Sequence, residues 1–161
     1  MKLVADDTLK HQEKEIIVLV KIPGKANLVR VKGDKWPEEV EYTYNIKKDS
    51  VGRIFEIVQM PFSESGDWFL SLAHYFDNNG NTYAFQRNFN VFDSEIKGGV
   101  IYETTIKYYN PLFKQIGGSH GVTDIKGRKV SNKNTPLDAY NYKYTIYKSI
   151  SECLKTYHIK L

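Results

Sequence analysis

Apolar and polar positions alternate with a period of two through most of this chain. That period predicts β-strands, whose successive side chains point to opposite faces. It is clearest over 41–46, where Tyr42, Tyr44 and Ile46 are separated by polar neighbours. Strands are predicted in the same way over 15–22, 28–32, 53–62, 68–76, 82–92 and 100–109. In the last of these, Val100, Tyr102, Thr104, Ile106 and Tyr108 share one face. Turn-forming residues at 23–27 and 33–37, and Asn110-Pro111, interrupt the pattern. The signal then weakens. The run Gly117-Gly118-Ser119-His120-Gly121 reads as flexible, 122–124 and 129–131 as the arms of a last hairpin, and 132–138 as a polar loop.

The period changes near the C-terminus. Ser149 with Glu152 three residues later forms a capping box. Ile150, Cys153, Leu154 and Tyr157 follow at helical spacing. One short amphipathic helix is expected over 149–158, with Cys153 as a core residue. Residues 1–14 are expected to be flexible or to hold one helical turn. The predicted fold is mainly β: a single domain over 1–161, an antiparallel meander of about eight to ten strands forming a sandwich or open barrel, with one short C-terminal helix.

Three turns share the formula D-x-x-G-[R/N], at Asp49-Ser50-Val51-Gly52-Arg53, Asp77-Asn78-Asn79-Gly80-Asn81 and Asp124-Ile125-Lys126-Gly127-Arg128. Asp suits the first position of a type I turn because its carboxylate accepts from nearby backbone N–H groups. Gly suits the fourth, where a positive φ closes a bulged hairpin. Aromatic residues precede two of them, Tyr42 and Tyr44 in one and Tyr75 and Phe76 in the other. These units resemble the YD (RHS-like) repeat, in which an aromatic-Asp-x-x-Gly hairpin recurs; Tyr75-Phe76-Asp77-Asn78-Asn79-Gly80 is the nearest match. The turns lack a fixed period, and the third lacks the aromatics. The resemblance implies stacked hairpins of the kind found in bacterial surface and secreted proteins, and it carries no catalytic residues.

Composition sharpens this picture. The 161 residues include 12 Tyr, 8 Phe and 2 Trp, types that favour pleated, half-buried surfaces and also offer stacking faces to ligands. A net charge of +4 is spread through mixed signs with no Lys/Arg block, so no nucleic-acid partner is expected. No apolar run approaches a membrane helix, so no membrane span is expected. Cys153 is the only cysteine, which excludes an intrachain disulfide. The first residues lack the apolar core of a signal peptide. A cytosolic chain and a secreted chain with its leader removed both fit, and a periplasmic or extracellular location is favoured.

Candidate chemistry is sparse. Asp77-Asn78-Asn79-Gly80-Asn81 superficially suggests a calcium loop, but Thr82 and Asn88 stand where that loop requires Gly and Glu. His11, His74, His120 and His158 are far apart, so neither a metal nor another cofactor is expected. His74 shares a face with Trp68, Leu70, Leu72 and Phe76 and reads as a core histidine. Pairs such as Glu38-Glu39 read as solvated charge. Ser119 beside His120 is adjacency and no dyad, and the common hydrolase and nucleotide motifs are missing.

Arg87 is more informative. By alternation it shares a face with Tyr83, Phe85, Phe89 and Val91, where an arginine must pair, stack or reach solvent. It either marks a pocket for an anionic or sugar ligand or lays its stem over the core. Trp36 and Trp68 flank turns and suit either a carbohydrate platform or the plugging of a β core. The expected function is a non-catalytic binding or interaction module, bacterial and extracytoplasmic, with a carbohydrate or protein partner. Its ligand face would carry Arg87, Tyr83, Phe85 and Trp68, with Trp36 as a further aromatic. The alternatives are a cytosolic immunity or antitoxin-like protein that masks a partner, and a hydrolase whose site the sequence does not display.

Overall fold

The computed structural model describes residues 15–92, 99–131 and 142–161. The expectations for 1–14 and for the polar loop at 132–138 fall outside them. Eight strands follow in chain order: β1 (Glu15–Lys21), β2 (Val29–Arg30), β3 (Tyr42–Lys48), β4 (Ile54–Pro61), β5 (Trp68–Phe76), β6 (Thr82–Phe92), β7 (Val100–Tyr109) and β8 (Gln115–Asp124). A helix, α1 (Ile150–Thr156), follows. The strands form one open sheet in the order β2-β1-β3-β4-β5-β6-β7-β8, and every neighbouring pair is antiparallel. The mainly antiparallel meander and its short C-terminal helix match the sequence expectation. The described strands make a single sheet rather than the two layers of a sandwich.

The alternation divides the sheet into two faces. One row runs straight across it: Ile17, Ile46, Ile57, His74 and Phe85 are successive cross-strand partners. This face holds the core, and the C-terminal segment covers it. Cys153, Leu154 and Tyr157 of the helical region pack with Ile17, Tyr44, Ile46 and Phe76. Tyr142, Tyr144 and Ile146 pack on Leu70, Phe85, Phe89 and Ile101. A fully buried aliphatic or aromatic side chain contributes roughly 1.5–3 kcal/mol, so a sheet with one apolar face needs this cover.

The three D-x-x-G turns form as their sequences predict. One oxygen each of Asp49, Asp77 and Asp124 accepts from the backbone N–H groups two and four residues later, at 2.9–3.0 Å. Gly52, Gly80 and Gly127 take positive φ. In two of the turns the following arginine also binds the aspartate, at 2.8 Å from Arg53 and 2.7 Å from Arg128. A fourth turn has the same form in other residues. Asn110 accepts from the N–H groups of Leu112 and Lys114, and Phe113 takes the left-handed φ of 59° where the others have Gly. Its ring stacks on Tyr109, with centroids 4.7 Å apart.

The glycine run corrects one expectation. Residues 117–121 lie within β8, paired residue by residue with β7 from Tyr108 back to Thr104. The glycines permit close approach. A Cβ at Gly118 would sit 2.4 Å from the Ile106 carbonyl oxygen. The final hairpin also forms, with Thr123 bridged to Lys129 and the Val130 N–H donating to the Val122 carbonyl.

The capping box forms with a shift of one residue. The Ser149 side chain accepts from the Glu152 N–H, while the Glu152 carboxylate accepts from the Lys148 N–H at 2.8 Å.

Candidate functional site

Arg87 and Phe85 lie on the covered face, which removes them from the surface. Phe85 is fully buried and stacks on Tyr144. Arg87 is 9% exposed. Its guanidinium donates to Glu103 Oε2 on the neighbouring strand and lies 5.1 Å from the centre of the Phe89 ring. The other Glu103 oxygen is 2.9 Å from His120 Nε2. Burial raises the affinity of Glu103 for a proton, but the bonds from Arg87 and His120 outweigh it and hold the carboxyl below its ordinary range. Arg87 is thus paired with Glu103 and stacked over Phe89 on the covered face.

Tyr83 departs from the alternation. The pairing of β5 with β6 shifts between Tyr75 and Phe76, so Phe76 faces Thr82 while Tyr75 faces Ala84. The extra residue is a β-bulge, and it turns Tyr83 towards Tyr75 on the opposite face, with ring centroids 6.4 Å apart. The predicted grouping of Arg87, Tyr83, Phe85 and Trp68 on one open face therefore does not assemble. Trp36 is 54% exposed in the connection between β2 and β3 and lines no part of the cleft described next.

Trp68 does reach an opening. At the edge of the covered face lies a cleft of about 660 Å³ lined by Trp68, Tyr42, Phe62 and Tyr142, with Glu38, Glu39, Glu41 and Glu64 around them. Strand pairing sets its frame. Tyr42 and Pro61 are cross-strand partners at the ends of β3 and β4. The Glu41 N–H donates to the Lys21 carbonyl, and the Phe62 N–H donates to the Glu41 carbonyl, at 2.8 and 2.9 Å. These bonds tie the acidic segments 38–41 and 62–64 to each other and to the end of β1. Burial, and next its hydrogen bond with Tyr42, push the Tyr142 hydroxyl well above its usual range, so it stays protonated.

Among the described residues, no Lys, Arg or His lines the cleft. The Lys21 ammonium lies 3.9 Å from Glu41, one of the lining glutamates, and also donates to the Lys25 carbonyl. Four carboxylates in a concave site with low-dielectric aromatic walls concentrate a negative potential. Aromatic faces attract cations through their quadrupoles. The arrangement can thus hold an ammonium or guanidinium group. Glu38 and Glu39, which read in sequence as solvated charge, are part of it. Only the position of Trp68 beside a turn signalled this place in advance.

Other chemistry is thin. Among the described residues, no group of three or more His, Cys, Asp or Glu side chains is arranged to hold a metal ion. No described helix is long and apolar enough to cross a membrane. No family, curated protein or solved structure matches the chain.

Proposed function

We propose that this protein is a non-catalytic binding or interaction module whose cleft takes a lysine or arginine side chain of a partner protein. The observation that carries the reading is the lining: four glutamates and four aromatic rings around one opening, with no basic residue among the described residues that line it. A neutral sugar would stack on the rings but gain little from four negative charges. A cation gains from both. Trp68 keeps the role of an aromatic contact, and the predicted anionic or sugar ligand at Arg87 gives way to a cationic ligand elsewhere.

The test is a titration of the full chain carrying Trp36→Phe with an oligolysine peptide, followed by Trp68 fluorescence. A saturable change is expected, weakened by salt because screening shortens the reach of exposed charges. Glu38→Gln and Glu64→Gln together should weaken binding about tenfold or more, equivalent to roughly 1.4 kcal/mol. An unchanged spectrum, or equal binding by the double variant, overturns the reading.

A further inference from the structure

The sheet face opposite the core has an unusual composition. Over β5, β6, β7 and β8, none of the residues on that face is Asp, Glu, Lys or Arg. On the covered face the same strands carry Arg87, Glu103, Lys107 and Asp124. An ordinary solvated face of a chain with 26% charged residues would carry several charges. Here amides and hydroxyls take their place. Asn88 Oδ1 accepts from Gln86 Nε2 at 2.9 Å and from Thr104 Oγ1 at 3.2 Å, and Asn88 Nδ2 donates to Ser71 Oγ at 3.4 Å. Neither hydrophobic cluster lies on this side.

Aromatic residues bracket the polar patch. In one row Asn90 stands between Phe69 and Tyr102, and Phe69 is 45% exposed. Six residues further along β7, Tyr108 pairs with Ala84, which pairs with Tyr75. At about 3.4 Å per residue the two aromatic rows are roughly 20 Å apart. The stretch between them is uncharged and carries the hydrogen-bonded amides and hydroxyls, with Ser71, Ala73 and Ile106 buried among them.

We infer that this face binds a neutral polysaccharide chain. Sugar rings offer apolar faces to aromatic side chains and hydroxyls to amides and hydroxyls, and they carry no charge that would need a counter-ion. A protein partner is less well served, since the apolar residues of the patch, Ala73, Ala84 and Ile106, are already buried and no arginine anchors it. An acidic glycan or a nucleic acid would find no cation on it. The surface is separate from the acidic cleft on the other face, so the two sites stand or fall independently.

Affinity electrophoresis of the full chain through gels containing soluble xylan, glucomannan, mixed-linkage β-glucan or amylose is the test, with polygalacturonate as the charged control. Retardation is expected in at least one neutral gel and none in polygalacturonate. Asn90→Asp, which keeps the side-chain shape, and Tyr102→Ala should each reduce retardation about tenfold, and Gln86→Glu serves if either fails to fold. With each variant's mobility taken relative to its own in a ligand-free gel, the cleft variant Glu64→Gln should be retarded like the parent. Free migration in every neutral gel, or retardation that survives both substitutions, overturns the inference.

Discussion

Arg87 on β6 and Glu103 on β7 are diagonal neighbours on the covered face, one row apart, and their side chains are hydrogen-bonded there. Removing one partner of such a pair leaves an unpaired buried charge, whereas replacing both by apolar groups of similar volume is often nearly neutral. Arg87→Met alone should therefore cost about 2–4 kcal/mol, with His120 retaining part of the Glu103 interaction. Arg87→Met combined with Glu103→Leu should recover most of that loss. Urea unfolding at neutral pH measures both, and additive losses would show that the pair is not the source.

His74 gives a pH dependence with a definite sign. It is fully buried, and burial lowers its pKa to about 4. Its Nε2 accepts from the Tyr147 N–H at 3.1 Å, so the folded ring is neutral. The unfolded ring takes a proton near its ordinary pKa of about 6.5, where the folded one does not. Stability is thus fully present above about pH 6.5 and declines as the pH falls towards about 4, by on the order of 3 kcal/mol. In His74→Gln, which retains an acceptor, the decline over that window should disappear. Glu103, Asp49 and Asp124, whose pKa values are lowered, add their own loss at still lower pH.

These groups show what the sequence could and could not display. Alternation at Tyr42, Tyr44 and Ile46, the D-x-x-G turns and the capping box at Ser149 are local signals, and each produced its element. The core role of His74 followed from its neighbours on one strand. The Arg87–Glu103–His120 chain was hidden because its members come from three strands, and register across strands is not written in any one of them. Tyr83 was misplaced by a single-residue bulge. The fourth turn was hidden because Phe113, stacked on Tyr109, occupies a position where glycine is the usual signal. The cleft needed the ends of β3, β4 and β5 brought together with Tyr142, a juxtaposition that only the fold supplies.

Cys153 should be inert while the chain is folded. It is fully buried in the cluster with Tyr44 and Phe76, and burial, then the nearby Glu152, push its thiol well above the usual range. The thiolate is the reactive form, so both access and ionisation oppose modification. Iodoacetamide at pH 8 should label it in urea and leave the native protein unmodified over hours. Rapid native labelling would contradict the packing of α1 on the sheet.

The attachment of that helix yields a comparison between two similar turns. The C-terminal segment is strung onto the β5–β6 hairpin. The Ile150 N–H donates to the Gly80 carbonyl, the Thr82 N–H to the Lys148 carbonyl, and the Thr82 hydroxyl to the Tyr147 carbonyl at 2.7 Å. Asp77 fixes this hairpin by accepting from the N–H groups of Asn79 and Asn81. Asp124 does the same for a turn that, among the described residues, makes no hydrogen bond to the helix. Asp77→Ala should therefore loosen both the turn and the docking of α1, and native labelling of Cys153 should rise several-fold. Asp124→Ala removes equivalent turn bonds and should leave that rate near the parent value. Thr82→Val leaves the Tyr147 carbonyl without its donor, at a cost of about 1–3 kcal/mol, and should behave like Asp77→Ala. Equal labelling in Asp77→Ala and Asp124→Ala would mean that the hairpin does not hold the helix in place.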